Sequence, residues 1–149
     1  MQDLKILNSK EKKILLKQIQ EKFKTSKLDL NYIFLKNNEG KVFLLSNYFK
    51  NLDTKNLRIN SLGLYFANIS KDIRLTIEGS QLIRDKAKNI LEINDKQLKE
   101  WLKGYDIEID KKLNGFVIIK NNNDFYGCGF YKDKKILNYI PKERRIKNL

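Results

Sequence analysis

Behind Asn8, apolar residues recur every fourth position at Leu15, Ile19 and Phe23, and Ile14 and Leu16 widen the stripe. That period predicts an amphipathic helix from about Ser9 to Phe23. Asn8 can cap it, and Glu11 three residues later completes a capping box. Lys12, Lys13, Lys17 and Lys24 fall largely on its outer side. The period then shortens. Two apolar runs, Tyr32 to Leu35 and Val42 to Leu45, flank Asn37-Asn38-Glu39-Gly40, which has the composition of a hairpin turn. A third run, Leu62 to Ala67, ends this first unit. Between them, Ser46 to Asn60 is polar, with room for one short helix.

The pattern restarts around Ser70-Lys71-Asp72. Ile73, Leu75 and Ile77 alternate with Arg74 and Thr76, as in a half-buried strand. Glu78 to Ile83 reads as a turn leading into a helical piece, and Ile90 to Ile93 as another short strand. Asn94 or Asp95 caps a compact helix that holds Leu98, Trp101 and Leu102, and Gly104 stops it. Strand follows strand after that. Gly115 to Lys120 is densely apolar, Asn121 to Asp124 turns, Phe125 to Tyr131 returns, and Asp133-Lys134 leads into Lys135 to Ile140. Pro141, the only proline, closes the last of them. The expected class is α+β, with an α+β module over residues 1–70 and a β-rich domain over 71–149. No linker of flexible composition separates them, so the two should pack together.

Composition narrows the chemistry. Hydrophobic residues make up 41% of the 149, enough for a core. No run approaches the roughly 18 apolar residues of a membrane span, so no membrane partner is expected. Asp3 and Glu11 among the first lysines argue against a leader peptide and point to a cytoplasmic location. Cys128 is the single cysteine and histidine is absent. That removes disulfides, a multi-cysteine zinc site and the commonest general base near neutral pH. No enzyme activity, cofactor or metal is expected.

Charge points the other way, toward a partner. Lys and Arg total 31 against 18 Asp and Glu, a formal net charge of +13. Such a field favours a polyanion. A lysine-, asparagine- and isoleucine-rich composition alone could produce the excess and serve only to solvate the surface. Its distribution is uneven, however. Residues 1–70 carry 13 basic and 6 acidic side chains, residues 71–131 carry 11 and 10, and residues 132–149 carry 7 and 2.

Several stretches stand in a familiar order: Ile77 to Ile83, Glu100-Trp101-Leu102-Lys103-Gly104 with Asp106, Gly115 to Ile118, Gly127-Cys128-Gly129, and Asn138 to Arg145. Over residues 73–146 they resemble the PUA-like RNA-binding domains of RsmF-type RNA cytosine methyltransferases and Nip-type ribosome-biogenesis proteins. Leu7 to Lys12 and Ser61 to Phe66 are similar, more weakly, to the pre-PUA module that precedes such domains. The resemblance implies a β-pseudobarrel with short helices that holds structured RNA, tRNA or rRNA. It carries the RNA groove onto Ser80, Gln81 and Arg84. The methyltransferases also have a Rossmann-like domain with a catalytic cysteine. Here no Gly-x-Gly-x-x-Gly loop exists, and methylation by this chain alone is not expected.

Lys142, Arg144 and Arg145 follow Pro141 closely, and two of the five arginines are adjacent there. An arginine fork binds phosphate and stacks on bases, although a terminus of this kind can equally be solvated and frayed. Asn138 and Tyr139 sit beside these cations, and aromatic–cation neighbours suit unpaired bases. Core packing is an equally good account of Tyr139. Lys120 joins the expected phosphate contacts. Cys128 between glycines reads as a packed small residue, Trp101 as core, and Asp106, Glu108 and Asp110 as a solvated acidic edge rather than a metal site. The expected function is RNA binding without catalysis, in rRNA or tRNA modification or in ribosome biogenesis. The alternative is a protein-interaction module that docks on a separate RNA-modifying enzyme or ribosome-assembly factor.

Overall fold

A computed structural model describes residues 4–49 and 63–148. Helix α1 runs over Ser9–Phe23, and both arms of its capping box form: Asn8 Oδ1 accepts from the Glu11 N–H, and Glu11 Oε1 accepts from the Asn8 N–H. Strands β1 (Lys5–Ile6), β2 (Tyr32–Lys36), β3 (Lys41–Ser46), β4 (Leu64–Asn68) and β5 (Arg74–Leu75) make an antiparallel sheet in sequential order. Buried Asn37 shapes the β2–β3 hairpin, since its Oδ1 accepts from the Glu39 and Lys41 N–H groups. Beyond Ser46 a single 3₁₀ turn spans Asn47–Phe49. The rest of the stretch expected to hold a short helix lies outside the described residues.

The reading of residues 73–77 as one strand needs correction. Pairing stops at Leu75, and Thr76 caps helix α2 (Ile77–Ile83). Its Oγ1 accepts from the Gly79 N–H and donates to the Tyr65 carbonyl. A capping hydroxyl satisfies helix-end donors that a two-residue extension of the strand would leave unpaired. Ile77 therefore opens the helix, and Glu78-Gly79-Ser80 lie within it.

The second sheet runs in the order β6 (Ile90–Glu92), β8 (Phe116–Asn121), β9 (Asp124–Lys132), β10 (Lys135–Asn138) and β7 (Ile107–Glu108), with β6 and β8 parallel and the other neighbours antiparallel. It curls into a half-barrel. Helix α3 (Asp95–Leu102) carries an Asn94–Gln97 capping box, and Gly104, just past its C-cap Lys103, has φ +99°. The class is α+β, as the sequence implies.

Both sheets share one core. Leu15, Leu16, Ile19 and Phe23 of α1 pack with Phe34, Val42, Leu44 and Phe66 of the first sheet and with Phe116, Ile118, Phe125 and Cys128 of the second. The Phe23 and Phe116 rings lie 5.9 Å apart, so α1 joins the halves. A separate cluster under the half-barrel centres on fully buried Trp101, with Val117, Ile119 and Ile136. Gly129 lets it close, because a Cβ there would collide with Ile136 and the Leu137 carbonyl.

Candidate nucleic-acid interface

The chain leaves β10 at Asn138 and folds back as a short segment with a 3₁₀ turn at Lys142–Arg144. It is fastened rather than frayed. Asn138 Nδ2 donates to the Trp101 and Tyr105 carbonyls, and its Oδ1 accepts from the Ile140 N–H. The Asn138 N–H in turn donates to Asp106 Oδ1. Arg145 Nε donates to the Ile140 carbonyl, its side chain lies against Gly104, and the Ile146 N–H donates to the Leu102 carbonyl. Arg144 forms an ion pair with Glu78 of α2.

This closing segment has two basic faces. Its inner face covers a cavity of about 330 Å³ between the two halves, lined by Lys41, Lys71, Arg74, Tyr139, Lys142 and Arg145 among others. The acidic groups at its wall are Asp72 and Glu143. The Arg74 guanidinium carbon lies 4.0 Å from the Tyr139 ring centroid, and that ring also packs 6.1 Å from Phe116. Beside it, a more apolar hollow of about 480 Å³ lies between Phe43, Leu64, Tyr65, Ile77 and Arg144. The outer face opens on another hollow, lined by Lys103, Tyr105, Lys142, Arg145, Ile146 and Lys147, with no acidic residue. Tyr105 is 59% exposed there and Ile146 40%. An exposed ring among four cations can take a base face while the cations neutralise phosphates.

A different group forms around buried Phe125. Lys120 Nζ lies 5.6 Å and the Arg84 guanidinium carbon 6.0 Å from its ring centroid. Gln81 Nε2 donates to the Phe125 carbonyl. Arg84 has φ 47° and ψ −130°, a region that side-chain-bearing residues rarely occupy.

The candidates named from sequence thus divide. Lys142, Arg145 and Tyr139 come together at the inner cavity, while Gln81, Arg84 and Lys120 gather at Phe125. Arg144 is exposed but engaged by Glu78. Ser80 is fully buried, donates to the Ile77 carbonyl and accepts from the Gly127 N–H, so it holds α2 to β9 instead of facing a ligand. Asn138 spends its amide on the segment's own fastening. Tyr139 is half-buried, packs on the core as one of its sequence readings expects, and is stacked by the Arg74 guanidinium.

Lys41, Lys71, Arg74, Lys103 and Tyr105 escaped the sequence reading. They come from three separate places in the chain; Arg74 stood out only as the polar member of an alternating run and Lys103 only within a stretch that carries the resemblance. Burial pushes the Cys128 thiol up to about 12, against weaker opposing effects of the Leu75 carbonyl, Arg74 and Lys22. Burial also raises the Tyr65 hydroxyl, against a hydrogen bond with Asn68 that lowers it. Among the described residues no cluster of three or more His, Cys, Asp or Glu could hold a metal ion. No described helix is long and apolar enough to cross a membrane.

Residues 88–146, from before β6 through the closing segment, match the family model of the methyltransferase RsmF PUA domain. The chain carries a PUA-like region. Over 90 residues it is also 31% identical to the Ribosomal RNA small subunit methyltransferase F of Shewanella oneidensis. That match spans 58% of this chain and 19% of the relative's length. The PUA-like region contains Lys120, Tyr139, Lys142, Arg144 and Arg145, as well as Lys103 and Tyr105 of the outer hollow. Gln81, Arg84, Lys41, Lys71 and Arg74 precede it.

Proposed function

We propose that this chain is an RNA-binding protein that recognises folded RNA, tRNA or rRNA, in the setting of rRNA modification or ribosome biogenesis. The observation that carries the reading is the match of residues 88–146 to the RsmF PUA domain, whose closing segment here displays Lys142, Arg145 and Lys147 beside an exposed Tyr105. The protein is read as non-catalytic and cytoplasmic. The sequence has no histidine, and burial keeps its one thiol protonated across the physiological range. The test is a titration of the full chain with a tRNA and an rRNA fragment at several salt concentrations. Steeply salt-dependent binding with a preference for folded over single-stranded RNA is the expected result. In the same assay, replacing Arg144 and Arg145 together by Ala should weaken binding and flatten the salt dependence. Weak binding without preference would remove the reading.

A second reading draws on the more apolar hollow between Phe43, Leu64, Tyr65 and Ile77, a surface suited to a protein partner. On that reading the chain is a protein-interaction module that docks on a separate RNA-modifying enzyme or ribosome-assembly factor. A pull-down that survives nuclease treatment would select it over direct RNA binding.

A further inference from the structure

We propose that the cavity between the two halves is a phosphate-binding site built jointly by the first sheet and the closing segment. The inference rests on the RNA-binding reading only for the carrier of the phosphate, which is an RNA strand. Five cations converge on the cavity: Lys41 from β3, Lys71 from the β4–β5 turn, Arg74 from β5, and Lys142 and Arg145 from the segment. Of the two acids at its wall, Asp72 already pairs with Lys22 at 3.2 Å.

Arg74 sets this cluster apart from solvated surface charge. Its guanidinium is held over the Tyr139 ring at 4.0 Å, and its Nε is buried with no hydrogen-bond acceptor among the described residues. A buried charged donor without an acceptor is unfavourable. A phosphate oxygen is the acceptor that a guanidinium fork fits best, and the ring fixes the fork's orientation in advance. Lys142 and Arg145 line both the cavity and the outer hollow. A strand lying on Tyr105 can therefore pass around the segment and set a phosphate inside. Lys41, Lys71 and Arg74 all precede residue 88, so the site uses the N-terminal half as a ligand-binding partner of the PUA-like region.

The experiment uses the full chain and one RNA hairpin, prepared with a 5′-hydroxyl and with a 5′-phosphate. Wild type is compared with Arg74→Gln and with Lys71→Gln, the latter on the exposed rim, where loss of fold is not at issue. Each variant should bind about three- to tenfold more weakly at low salt and lose roughly one phosphate's worth of salt slope. A gain from the 5′-phosphate that Arg74→Gln abolishes identifies a terminal phosphate as the group bound. Equal binding of the two hairpins, with the variants still impaired, identifies a phosphodiester within the chain. If wild type binds RNA and both variants keep its affinity and slope, the site is overturned while the RNA reading stands. If wild type binds no RNA, the RNA reading falls, and inorganic phosphate then decides for the site. At constant ionic strength it should raise the melting temperature of wild type but not of Arg74→Gln, and no shift in either would overturn the proposal.

Discussion

Cys128 shows how burial settles a residue's chemistry. It sits between Gly127 and Gly129 in β9, its sulfur 3.6 Å from the Leu75 carbonyl, in the core that both sheets share. The unfolded thiol ionises near its ordinary value of 9.0 and the folded one near 12. Between those values the unfolded chain gives up a proton that the folded chain keeps, so stability falls as pH rises through that window. The slope is up to about 1.4 kcal/mol per pH unit. Urea unfolding at about pH 8 and about pH 10.5 should show wild type losing more stability than Cys128→Ala. Parallel losses in the two proteins would contradict the assignment. Ser80 teaches the same lesson from the opposite side. A hydroxyl beside a helix start is a fair ligand candidate in sequence, but only the position of β9 shows that the Gly127 N–H already uses it.

At the scale of elements, α2 is seven residues long, too short to persist without its surroundings. Thr76 fixes its start, and Gly79 lets it lie directly on β4, where a methyl group would strike the Phe66 carbonyl oxygen. Gly79→Ala should therefore destabilise the protein by about 1–3 kcal/mol, measured as a shift in the urea midpoint. Because Glu78 of the same helix holds Arg144, the variant should also weaken RNA binding; full stability would show that α2 can shift outward at no cost. The α1 boundaries were legible from its capping box and apolar period, and those of α3 from a cap at Asn94 or Asp95 and a stop at Gly104; the structure adds that Gln97 closes a second capping box on Asn94. Residues 73–77 misled because Ile73, Leu75 and Ile77 alternate regardless of what Thr76 does. Alternation is a statement about burial, while the switch from strand to helix depends on a hydroxyl reaching the carbonyls of β4. The two-residue strands β1, β5 and β7 have too few residues for any period.

Across the whole molecule, α1 and Phe116 bind the two halves into one core. Fragments 1–70 and 71–149, expressed separately, should each lack cooperative unfolding and regain it on mixing. An independently folded 71–149, with sharp thermal unfolding and dispersed amide resonances, would refute the shared-core account. Composition determined the basic balance, and periodicity, caps and turn residues determined the α+β class and most element positions, because those depend on neighbours within a few residues. Tertiary structure alone decided which cations meet. Lys41, Lys71 and Arg74 join Lys142 and Arg145 because the fold sets β3, the β4–β5 turn and β5 beside a segment about seventy to a hundred residues downstream in the chain. Charge at a site is a sum over positions that only folding brings within a few ångströms, and no local pattern in the chain encodes that sum.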